Sequence, residues 1–122
     1  MNSIRTATLV RRTCLVCAVA LTLALLWVSV FSYAGEHFAA RHHRSSHLFL
    51  FALLALSWRV AIPRPPTWVV AMWICSFGFL QEFIEVFGHA HTFELNDAVI
   101  DSIGAIVGAV LGDIAIKRVL PG

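Results

Sequence analysis

Charge is scarce in this chain. Asp, Glu, Lys and Arg make up 13% of its 122 residues, about half the share of roughly 25% found in soluble globular domains. The formal net charge is +2, and no basic patch is interleaved with stacking aromatics, which excludes a nucleic-acid partner. The three cysteines, Cys14, Cys17 and Cys75, do not make a disulfide framework. Cys14 and Cys17 form a CxxC, but they open a charge-free run and read as small apolar packing residues, as does Cys75 inside a later run. No HExxH or comparable zinc spacing occurs, and no glycine-rich loop follows a strand, so nucleotide binding is unsupported. No serine or cysteine has the context of an activated nucleophile; Ser102, beside Asp101, faces elsewhere on its helix. Internal repeats and low-complexity segments are also missing.

What fills the chain instead is apolar. Hydrophobic residues make up 59%, and the mean hydropathy is +0.81. Four stretches stand out, at 13–34, 45–62, 67–87 and 97–116. At about 20 residues per bilayer crossing, they use up most of the chain and predict an all-α integral membrane bundle of four transmembrane helices. One domain, 13–118, is expected, preceded by a cytoplasmic segment at 1–12 and followed by a tail at 119–122. Pro63, Pro65 and Pro66 separate the second stretch from the third, because proline interrupts the helical ladder. Gly35 and Gly88 mark the ends of the first and third, where caps favour glycine. The second stretch is short, and its Arg59 is expected to snorkel to the interface. Trp27, Trp58 and Trp68 lie near span ends, as belt aromatics do.

Basic residues set the orientation. Arg5, Arg11 and Arg12, then Arg59 and Arg64, then Lys117 and Arg118 all fall on the cytoplasmic side if both termini are cytoplasmic, which leaves Arg41 and Arg44 outside. The expectation is a multi-pass protein of the inner (plasma) membrane. A rival reading takes the first stretch as a cleavable signal peptide, but its apolar run exceeds the usual core of about 7–15 residues. In the chosen orientation His37, His42, His43, His89, His91, Glu36, Glu94 and Asp97 fall in or beside the outer loops, with His47 at the outer start of the second span. His37, His42 and His43 read as a solvated interfacial run.

Gly104, Gly108 and Gly112 recur every four residues in the last span. Such a stripe admits close approach of another helix in lipid. Five acids lie at or before it: Glu82, Glu85, Glu94, Asp97 and Asp101. Glu82 and Glu85 share a face by helical spacing, as do Gln81 and Glu85, and Asp97 and Asp101. Spans three and four, joined by a short loop, should form an antiparallel hairpin that brings these acids together near Arg44 and His47. Ionisable residues inside a membrane are functional candidates by default.

The segment LQEFIEVFGHAHTFELNDAVIDSIGAIVGAVLG resembles the C-terminal half of VanZ-like membrane proteins, and RSSHLFLFALLAL resembles that family's opening of span two. Glu82, Asp97, Gly104 and Gly108 match the family pattern. So does His47, with Arg44 in place of the usual Lys; the resemblance covers roughly residues 40–115. Three positions depart from it: Glu85 stands where the family has Gln, His91 where it has Arg, and Asp101 where it has Asn. A protonated carboxyl offers one donor and one acceptor, much as an amide does, and burial favours the neutral form. Glu85 or Asp101 is therefore expected to be neutral and to tolerate the amide.

The resemblance implies a protein of the bacterial envelope, associated with glycopeptide (teicoplanin) resistance and without a settled biochemical activity. Three readings follow for the cluster Arg44, His47, Glu82, Glu85, His91, Asp97 and Asp101. It binds a lipid-linked or peptide-type ligand at the outer face, or it binds a divalent metal hydrolytically. In the third reading it locks spans three and four together in a structural protein that serves a membrane partner. The first is preferred; no cofactor or metal ligand set is assigned, and catalysis is left undecided.

Overall fold

The computed structural model describes residues 2–30, 43–89 and 95–120, with the side chains of His43, Arg44 and His89 outside that description. Four helices follow one another: α1 (Asn2–Val30), α2 (His43–Ala61), α3 (Thr67–His89) and α4 (Leu95–Val119). No strand occurs among the described residues. The chain is an all-α bundle, and α1, α3 and α4 are each long and apolar enough to cross a membrane. The apolar part of α2, Ser45–Ala61, is shorter. Large apolar side chains cover the outside of the bundle, among them Phe49, Met72, Ile103 and Val110, as a lipid solvent allows.

Helix α1 starts at Asn2, eleven residues before the apolar run at 13–34, so Arg5, Arg11 and Arg12 belong to the helix rather than to a separate segment. Residues 31–34, and Gly35 with them, lie outside the described residues. The other end signals held more closely. Helix α2 stops at Ala61, just before the prolines, and the backbone N–H groups of Val69 and Val70 donate to the Pro66 carbonyl at the start of α3. Helix α3 runs one residue past Gly88.

The packing order explains why α2 can be short. It touches all three other helices, whereas α1 and α4 do not meet among the described residues. The core is built from Leu25 of α1, Phe51, Leu54 and Ala55 of α2, Val70 and Ile74 of α3, and Ala105 and Ala109 of α4. Phe51 is fully buried and lies 6.1 Å, centroid to centroid, from Phe77. Trp58 departs from its expected belt role. It packs against the core, and its indole N–H donates to Thr22 Oγ1 of α1 at 3.1 Å. A buried indole needs an acceptor, and Thr22 supplies one across the helix pair. Trp27 and Trp68 are exposed, as expected of belt residues.

The glycine stripe packs on α2. A Cβ on Gly104 would lie 2.6 Å from the Leu48 carbonyl oxygen; one on Gly108 would run into the Ala52 backbone, 2.7 Å from its carbonyl carbon. One on Gly112 would lie 2.8 Å from Arg59 Cβ and 3.2 Å from the Leu56 carbonyl oxygen. Each step of four along α4 thus meets a step of four along α2, so the two helices run parallel. The glycine Cα–H groups face α2 carbonyls, a contact that recurs at close helix pairs. Helix α3 runs antiparallel to α4: Gly78 faces Asp101, and the Cys75 thiol points at the Ser102 carbonyl, 3.8 Å away. The expected α3–α4 hairpin is therefore present, but its acid-bearing partner, α4, spends its glycines on α2.

Gly108→Ala should cost about 1–3 kcal/mol, the range for overpacking a tight interior. The check is thermal unfolding in detergent: Gly108→Ala should melt well below the parent, whereas Val110→Ala, on the exposed side of the same helix, should melt close to it.

Candidate functional site

Polar side chains inside this bundle gather at two ends of the α2–α4 contact. At one end stands Arg59, 6% exposed. It does not snorkel outward as its position in the sequence suggested. Its guanidinium donates to the Pro63 carbonyl (3.0 Å), to Thr67 Oγ1 (3.3 Å) and to Asp113 Oδ1 (3.0 Å). Asp113 also takes Lys117, one turn on, at 2.9 Å. A cation at the C-terminal turn of α2 complements the helix dipole, and Asp113 removes the need to reach water. Asp113 is the residue that sequence reasoning missed. The signal was its offset from Arg59, which matches that of Asp101 from His47: both pairs lie 54 residues apart.

The other end is the candidate site. His47 Nδ1 and Asp101 Oδ1 share a hydrogen bond of 2.7 Å between α2 and α4. The His47 ring lies parallel to Phe51, one turn on, at 6.3 Å between centroids. Asp101 is 1% exposed. Asp97, one turn earlier on α4, and Glu85 of α3 are buried too, and both act electrostatically on the His47 ring. Glu82 is 1% exposed. It follows Gly78 by one turn, and since Gly78 faces Asp101 in an antiparallel pair, Glu82 stands level with Asp97.

The predicted cluster is thus largely assembled. His47, Glu82, Glu85, Asp97 and Asp101 come together from three helices at one end of the bundle. Arg44 belongs to the first turn of α2, but its side chain lies outside the described residues, as do His91 and Glu94. Gln81, adjacent in sequence to Glu82, is 3% exposed, and its Oε1 has no hydrogen-bond partner among the described residues. In a lipid-embedded bundle an unmet polar atom of this kind is costly. Among the described residues, no group of three or more His, Cys, Asp or Glu side chains is placed to hold a metal ion. Ser102 Oγ donates back to the Ala98 carbonyl at 2.9 Å, a local bond that hydroxyl side chains commonly make within a helix. Cys14 is half-buried and Cys17 exposed, both as free thiols.

Below the cluster, between α3 and α4, an open groove of about 630 Å³ is lined by apolar side chains such as Trp68, Met72 and Ile106. It brings no convergent polar groups and belongs to the lipid-facing surface.

Asp101→Leu should destabilise the bundle by about 1–3 kcal/mol, the cost of leaving the buried His47 Nδ1 without its hydrogen-bond partner. Asp101→Asn keeps an acceptor oxygen at the same place and should melt within a few degrees of the parent. The comparison is made by thermal unfolding in detergent. An Asn variant that falls as far as the Leu variant would mean that charge, not hydrogen bonding, holds α2 to α4.

Comparison with protein-family models, with curated proteins and with solved structures gives no match; the fold and the site rest on the chain's own residues.

Proposed function

We propose that this chain is a VanZ-like protein of the bacterial envelope that binds a lipid-linked or peptide-type ligand at the His47 end of its bundle. One observation carries the reading: five ionisable side chains from three helices, four of them buried and the fifth, His47, 14% exposed, converge at one end of a protein built for lipid. Residues of that kind are expensive within a membrane and mark ligand or ion sites. The convergence also joins the separate pieces of the resemblance, since His47, Glu82 and Asp97 are distant in sequence and neighbours in the fold.

In this reading both termini are cytoplasmic and the His47 end faces outward, where lipid-linked envelope precursors present their peptides and diphosphates. Arg44, in the first turn of α2, would pair with an anionic group of the ligand. Glu82 and Asp97 would contact its amines. The His47–Asp101 bond fixes α2 against α4 and so holds the site's shape. No bond-making step is assigned to the described residues.

A structural reading also has an observation in its favour, because the His47–Asp101 bond is made inside the bundle and needs no ligand. The two part on a binding experiment. The purified chain in lipid nanodiscs is titrated with a polyprenyl-diphosphate-linked peptidoglycan precursor and, separately, with teicoplanin. Saturable binding that Glu82→Gln and Asp97→Asn weaken at least tenfold, with unchanged melting, is the expected result. Absence of saturable binding to either probe, with melting lowered by both substitutions, would assign the cluster to structure alone.

A further inference from the structure

We infer that α3 and α4 hold one anionic phospholipid, with an acyl chain in the apolar groove between them and its phosphate beside Arg64 and Lys117. The site lies at the Arg59 end of the bundle and is independent of any ligand at the His47 end. Its starting point is the shape of the groove. Ala71 and Cys75 pack against the core and Ala109 is part of it, whereas Trp68, Met72 and Val110 beside them are exposed. Small residues between large ones leave a trough of about 630 Å³. Thr67 and Cys75, its two ends on α3, are eight residues apart, or roughly 12 Å of helix. One leaflet supplies about half of a hydrocarbon core roughly 30 Å thick, so the trough has the depth of a single acyl chain.

The residues at its mouth fix the sign of the headgroup. Thr67 Oγ1 accepts from Arg59, whose guanidinium also donates to Asp113, and Asp113 takes Lys117. Asp113 and Lys117 follow Val110 by three and seven residues, so they continue the groove face of α4 beyond the groove. On the α3 side, Arg64 precedes Thr67 by three residues in the turn after α2. Lys117 is 74% exposed, and Arg64 and Arg118 are exposed too. Among the described acids, Asp113 alone stands at this end; Glu82, Glu85, Asp97 and Asp101 lie at the other. Arg59, Arg64, Lys117 and Arg118 are thus set against one carboxylate, and Lys117 has spent one of its three donors there. A phosphate accepts charge-assisted bonds from such groups, and basic residues beside a bilayer favour anionic lipid. A choline or ethanolamine headgroup would add a cation where cations are already in excess. A second copy of the chain fits less well. A transmembrane helix would need a groove through both leaflets, and a two-fold axis along the bilayer normal would set Arg64 and Lys117 against their own counterparts.

Native mass spectrometry of the intact chain, released from nanodiscs of equimolar phosphatidylglycerol and phosphatidylcholine, tests the site. The expected result is one phosphatidylglycerol retained per chain, at least about fivefold over phosphatidylcholine, the scale set by one cation at an anionic surface. Arg64→Gln, which touches no partner of Arg59, should lower that preference, and Arg64→Gln with Lys117→Gln should bring it below about twofold. Val110→Trp fills the trough from its exposed side and should reduce retention at an unchanged melting temperature. Arg5→Gln, a basic residue of α1 outside the site, should leave both readings as in the parent. An equal fall in Arg5→Gln would spread the attraction over the whole basic surface and overturn the site. Equal retention of the two lipids, both released by Val110→Trp, would overturn the anionic headgroup. Dimers that Val110→Trp disperses, with no lipid retained, would give the groove to a second copy and overturn the inference, as would retention that neither the charge variants nor Val110→Trp alters.

Discussion

Close contact between α2 and α4 is the constraint on which the rest of this structure depends. Lipid tails are as apolar as leucine, so burying apolar side chains gives helices in a bilayer little reason to associate. What remains is fit. Gly104, Gly108 and Gly112 bring the α4 backbone against the carbonyls of Leu48, Ala52 and Leu56, in a register with no room for a methyl group at Gly108. Because the stripe repeats every four residues on both helices, the fit sets their direction and register together.

Polar groups at both ends of this contact follow from that register. Once Gly108 is seated on Ala52, His47 meets Asp101 at one end and Arg59 meets Asp113 at the other. Each ion or hydrogen-bond pair keeps a polar side chain from standing alone in a medium that solvates it poorly. The two ends differ in chemistry. Arg59 is held by a carbonyl, a hydroxyl and a carboxylate, and Asp113 by Arg59 and Lys117, which is a closed structural latch. The His47 end collects more ionisable side chains than a latch needs, and the nearby Gln81, next to Glu82 on α3, has a buried Oε1 with no hydrogen-bond partner among the described residues. That contrast is the reason for seeking the envelope ligand at the His47 end.

Much of this architecture was legible in the sequence. Apolar runs set the number of helices, the prolines at 63, 65 and 66 set the turn after α2, and the spacing of Glu82, Glu85, Asp97 and Asp101 placed them on interior faces. Helical periodicity is a local property, and these were local inferences. Partners across helices were harder. The stripe announces a close contact without naming its partner, and the short loop to α3 does not reveal that the glycines meet α2. Arg59 and Trp58 were read from their distance to a span end, but pairing inside the bundle decided their fate, with Asp113 and with Thr22. Such pairings depend on the relative height of two helices, which composition does not encode. The equal offsets of the two latches carried that height, and they become a signal only after the parallel pair is known.

The most direct test of the central contact is a pair of distance measurements by pulsed electron spin resonance on a cysteine-free background, with spin labels at exposed positions. A Phe49–Ile103 label pair should be short, since both lie near the His47 end. A Phe49–Val119 pair should be longer by a large part of the roughly 24 Å that sixteen helical residues span. A Phe49–Val119 distance as short as or shorter than Phe49–Ile103 would reverse α4 against α2, separate His47 from Asp101, and contradict the account at its base.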